Sequence, residues 1–142
     1  MLFRAAVMLL LVGAWGCLPN EPFMRNNTVA PDITGTWQGT SEEGEAWTLE
    51  IRRLGVAKLE VNGEHHDLNY SYVFEGKMLP LKLDLYGFRT GEYVGKTIYG
   101  IVMFRDEDTM RFETQVGEPM ADGTRPEKFD KSSVRLMKRA KS

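Results

Sequence analysis

One cysteine, two histidines and no apolar run of helical membrane-spanning length set the first limits on this 142-residue chain. A lone Cys17 excludes an internal disulfide and a thiolate metal cluster. Eighteen basic residues against 20 acidic ones, a net charge of −2, give no excess from which to build the basic face of a nucleic-acid module. A Gly-x-Ser-x-Gly elbow and a phosphate-cradling glycine loop are both missing, so nothing points to nucleophilic or nucleotide chemistry. What is present is 42% apolar and 11% aromatic residues, ample for the packed core of a single domain.

Residues 1–16 read as a secretory leader. Arg4 supplies the positive start, Ala5 to Val12 an uncharged apolar run, and Gly13, Ala14 and Gly16 the small residues before a cleavage point. Ala14-Trp15-Gly16-Cys17 resembles a bacterial lipobox, with Gly16 and Cys17 matching and Trp15 departing from it. Ordinary signal peptidase would cut the same bond and leave Cys17 free. A lipidated Cys17 is the favoured reading, because an unpaired thiol in an oxidising compartment is a liability. It implies an exported protein held on the cell membrane or the outer membrane. Residues 17–31, with Pro19, Pro22 and Pro31, read as the tether and residues 32–142 as the domain.

Beyond residue 32 the apolar period is two. Trp47, Leu49 and Ile51 alternate with polar residues, as do Ala57, Leu59 and Val61 after a break at Leu54-Gly55. Asn62-Gly63 is a strong hairpin signal. Leu68, Tyr70, Tyr72 and Phe74 form the next alternating set, then Leu79, Leu81, Leu83 and Leu85, with Pro80 marking an edge or a bulge. Residues 97–104 are apolar on both faces, as in a strand covered on each side. Met110 and Phe112 alternate again, and 134–139 closes the chain as a strand or a short basic helix. With an opening segment at 33–39 this predicts an all-β domain of about eight short antiparallel strands, a sandwich or barrel.

Gly35-Thr36-Trp37 at the first strand resembles the lipocalin opening signature. Leu83-Asp84, Ile98-Tyr99-Gly100, Asp106-Glu107-Asp108-Thr109-Met110, Arg125-Pro126-Glu127-Lys128-Phe129 and Met137-Lys138-Arg139 follow in order. Together they resemble a small lipocalin-like family of exported bacterial proteins. The resemblance implies an up-and-down barrel in which Trp37 closes one end beneath an arginine, Arg135 or Arg139. It implies no activity.

His65-His66 with Glu64 and Asp67 is the one cluster that suggests a metal. Adjacent strand residues face opposite ways, so a hairpin flank is favoured. Glu42, Glu43 and Glu45 read as a solvated tip, and Asp106 to Asp108 as an acidic turn. The basic end, Lys128, Lys131, Arg135, Lys138, Arg139 and Lys141, reads as a solvated strand, with anionic lipid as a second possibility. An eight-stranded barrel is just wide enough to be filled by side chains or to hold one small ligand. The expectation is a non-enzymatic module, without metal or cofactor, binding a small apolar or amphipathic ligand through Tyr70, Tyr72, Phe74, Phe104 and Phe112. The alternative is a filled barrel that contacts an envelope protein through its loops.

Overall fold

The computed structural model describes residues 30–74 and 80–141. Leader residues 1–16, Cys17, most of the tether, Leu79 and the Glu75-Gly76 stop lie outside them. The strands are β1 (Gly35–Thr40), β2 (Ala46–Ile51), β3 (Val56–Val61), β4 (Glu64–Val73), β5 (Leu81–Tyr86), β6 (Thr97–Asp106), β7 (Thr109–Gly117) and β8 (Arg135–Arg139). Each pairs antiparallel with its sequence neighbour and β8 returns to β1, closing a barrel of eight strands. The described residues are all-β apart from one 3₁₀ turn at Asp122–Thr124. Its last segment is a strand, because Arg135 and Met137 alternate in burial with Leu136 and Lys138.

Period two does the building. Leu49, Leu59, Leu68, Leu83, Ile98 and Phe112 come from six strands, meet inside the barrel and are 2% exposed or less. Each such side chain contributes roughly 1.5–3 kcal/mol when removed from water. The β1–β8 seam is short, pairing Trp37 with Arg139 and Gln38 with Lys138. It stays tight because Gly39 lets the Leu136 carbonyl approach to 2.6 Å from where a Cβ would stand.

β6 is buried on both faces, as its sequence predicts. Its inward residues meet the core, while Tyr99 and Ile101 point outward beneath a strap formed by 118–134. Arg125 pins that strap. Its guanidinium bonds both Asp84 oxygens at 2.5 and 2.7 Å and the Gly100 carbonyl at 2.8 Å, 5.5 Å from the Tyr99 ring centre. Tyr99 adds a bond from its hydroxyl to the Glu118 carbonyl at 2.7 Å. Three of the six motifs behind the lipocalin resemblance therefore converge on one outer brace. Gly100 has to be glycine there, since a Cβ would stand 2.4 Å from the Phe112 ring.

Candidate functional site

The barrel has two ends, and both are closed by an arginine lying on a tryptophan. At the lower end, where β1, β3, β5 and β7 begin, the Arg139 guanidinium sits 4.3 Å from the Trp37 ring centre. It donates to the carbonyls of Thr34, Asp32 (2.8 Å) and Glu107 (2.9 Å) and to the Asp108 carboxylate (3.1 Å). The Trp37 indole N–H donates to the Ile33 carbonyl at 2.9 Å. Gly35, at φ +124°, leaves room for the arginine, whose Nη1 lies 3.1 Å from where a Cβ would be. Of the two candidate arginines, Arg139 covers Trp37. The acidic turn 106–108 serves as its second shelf.

At the upper end Arg135 lies 3.9 Å from the Trp47 ring centre. Glu45 accepts from the Trp47 indole at 2.6 Å and also pairs with Arg135, which reaches Thr114 at 3.2 Å. Glu45 corrects one expectation, being half-buried and bonded rather than a free solvated tip, while Arg135, one of the two arginines expected to close on Trp37, is buried at 6% exposure and closes on Trp47 instead. Both follow from register, because Arg135 stands opposite Phe112 and so faces inward.

Loop 87–96 closes this end from above. Phe88 and Tyr93 pack 5.1 Å apart, and their rings lie 5.9 and 5.4 Å from His66. His66 is buried and His65 is exposed, so the pair splits across the wall as strand alternation requires. The His66 Nδ1–H donates to the Thr90 carbonyl at 3.2 Å, while Nε2 has no hydrogen-bond partner and faces a Glu64 carboxylate oxygen at 4.0 Å. Arg135 Nε is likewise buried and unpaired. Burial is the main cause that raises the Tyr93 phenol pKa, with Glu92 and Glu45 adding to it. Around this cap Val94, Val116 and Met120 stand exposed, Met120 at 98%.

The side chains expected to line a ligand are divided by the structure. Phe104 and Phe112 pack edge-on against Trp37 and Trp47, with centroids 5.9 and 6.0 Å apart, and are 1% and 0% exposed. They are core, with no accessible surface to offer a ligand. Tyr70, Tyr72 and Phe74 pack against that core from the lower half, partly buried. The Tyr70 hydroxyl donates to the Arg52 carbonyl at 2.6 Å. The Tyr72 hydroxyl is unpaired and its pKa is raised by burial.

Two grooves flank the strap on the outer wall. One, of about 530 Å³, runs between Glu113, Gln115 and strap residues Pro126, Lys128 and Ser133. The other, of about 470 Å³, is lined by Arg105, Arg111, Phe129, Lys131 and Leu136, among others. The Glu113 carboxylate is committed to holding the strap, accepting from the Asp130 N–H at 2.9 Å and the Ser133 hydroxyl at 3.1 Å.

Sequence reasoning missed the Glu45–Arg135–Trp47 group and the place of His66 under the cap. The signal was available for His66, which stands two residues before Leu68 in an alternating strand. No protein-family model, curated protein or solved structure matches the chain, so its function is read from its own geometry.

Proposed function

We propose that this protein is a non-enzymatic interaction module of the bacterial cell envelope, held to its membrane through Cys17, that works through its upper end rather than through a ligand inside the barrel. The packing of the core among the described residues carries this reading. Trp37, Leu49, Leu83, Leu85, Ile98, Met110 and Phe112 have no accessible surface, so no water-sized space adjoins them. A carrier of an apolar molecule would need a lined cavity of several hundred Å³. The upper end supplies what a protein contact uses: exposed Val94, Val116 and Met120 beside buried polar groups that are not all paired. The lipocalin-like resemblance belongs to the same proposal and concerns architecture only.

Two experiments test it. Titration with an apolar fluorescent probe such as N-phenyl-1-naphthylamine is expected to show no saturable stoichiometric site, and one tight site per chain would return the carrier reading. Fractionation of host cells is expected to find the parent in membranes and Cys17→Ser in the soluble fraction. A membrane-bound Cys17→Ser protein would remove the anchor.

A further inference from the structure

Among the described residues two tight β-hairpins carry paired left-handed residues, and they are built oppositely. At β3–β4 the residues are Asn62 and Gly63, at φ 48° and 90°, both types that tolerate this region. At β2–β3 they are Leu54 and Gly55, at φ 63° and 75°. Leucine is disfavoured in that conformation, and here its side chain is 98% exposed, so neither backbone nor burial explains its presence. The tip is not loosely held. The Tyr70 hydroxyl bonds the Arg52 carbonyl at 2.6 Å, and the Tyr70 N–H bonds the Gly55 carbonyl at 2.9 Å. A rigid hairpin thus presents one leucine to the outside, preceded by Arg52 and Arg53.

This tip sits on the lower rim, the rim at which the N-terminal segment joins β1. Arg53 lies close enough to Asp32 to help lower its carboxyl pKa. Residues 17–30 can span at most roughly 50 Å. They join the barrel at this rim, so along the chain the lower rim is the end next to Cys17. We propose that the β2–β3 hairpin is a membrane-docking wedge, with Leu54 entering the interfacial layer of the bilayer and Arg53 lying among headgroup phosphates, while Arg52 is paired with Glu50 at 2.7 Å. The inference rests on the Cys17 anchor proposed above. It adds an orientation, lower rim on the lipid and upper end facing away toward a partner.

The test uses the processed, lipid-anchored protein carrying Leu54→Trp, in phosphatidylethanolamine–phosphatidylglycerol vesicles with plain or brominated acyl chains. Trp37 and Trp47 are buried at 0% and 3% exposure and supply a protected background. The introduced indole is expected to emit at shorter wavelength and to be quenched at least twofold more than the parent by brominated lipid. Equal quenching in variant and parent overturns the docking while leaving the anchor standing. Failure of the anchor is read separately, from Cys17→Ser in host membranes. Leu54→Asn, which copies the other hairpin, is expected to raise Tm. A lower Tm would mean that the leucine serves the fold, and would overturn the argument.

Discussion

The two ends of the barrel use the same pair, an arginine on a tryptophan, and finish it differently. At the lower end Arg139 finds three carbonyls and a carboxylate from the residues just before β1 and the β6–β7 turn, tying three distant segments together. At the upper end Arg135 has Glu45 and Thr114 but leaves Nε unpaired, and His66 beneath the cap leaves Nε2 unpaired. A buried polar atom without a partner costs about 1–3 kcal/mol. The Arg139 closure is satisfied, although the Tyr72 hydroxyl in the same half of the barrel is buried and unpaired. The Arg135 closure itself carries the standing cost, one that motion of loop 87–96 or contact with a partner would relieve, and this difference between the two arginines favours the upper end as the place of contact.

The largest expected effect lies in the lower closure. Trp37→Ala should lower stability by about 3–5 kcal/mol, since it opens a hole beside Phe104 and strands Arg139. Denaturant unfolding measures it, and a loss below 1 kcal/mol would mean that the lower end is not a closed structural unit. The arginines come next and compare the ends directly. Arg139→Ala should cost about 2 kcal/mol and Arg135→Ala about 1 kcal/mol, because only the second removes an atom that was already unsatisfied. Equal losses would erase the asymmetry. Native-state hydrogen exchange should agree. The Arg139 and Ala140 amides, bonded at 2.8 and 2.7 Å to Asp108 and Thr36, should exchange through global unfolding, and the Lys96 amide of the cap through a smaller opening.

Smaller still, His66→Leu should change stability by less than about 1 kcal/mol and toward greater stability, since it removes the orphaned nitrogen beneath Phe88 and Tyr93. A clear destabilisation would show that the Nδ1–Thr90 bond holds the cap shut.

The pH responses are the weakest effects, and only the lower end has one in acid. Thr34 hydrogen bonds, with Arg139 nearby, hold the Asp32 carboxyl below its usual 3.8. Its small stabilisation is present above pH 3.8 and lost as pH falls from there through the lowered folded value. Tyr93 is raised above its usual 10.0, chiefly by burial. The stabilisation from its neutral phenol is complete below pH 10 and lost as pH rises through the folded value. Tyr72 in the lower half is raised by burial as well, so alkali should loosen both halves. Residue-resolved exchange should therefore show acid loosening the lower end alone and alkali loosening both, and an acid response confined to the upper end would contradict this.

Strand order was legible because it is local. Leu81, Leu83 and Leu85 against Lys82 and Asp84 state a face without reference to anything distant. Asn62-Gly63 states a turn in the same way. Two-faced burial of β6 was legible for the same reason, although what covers its outer face was not. Arg125 reaches Asp84 across 41 residues, and Glu45 reaches Arg135 across 90. No periodicity announces such pairs, so Glu45 read as solvated and Arg135 as an alternative to Arg139 over Trp37 rather than as the partner of Trp47 and Glu45. The aromatic residues were placed on the right face, but facing inward does not separate lining a cavity from filling one. Phe104 and Phe112 resolve only when Trp37 and Trp47 are seen edge-on against them. Cys17 lies outside the described residues, so the anchor is still read from sequence alone.

The central claim is that the barrel is full and that recognition happens outside it. Native mass spectrometry of the protein extracted from its own host's membranes tests this most directly. The account predicts a chain beginning at acylated Cys17 with no second small molecule released on activation. A stoichiometric apolar ligand that dissociates from the folded protein would contradict it.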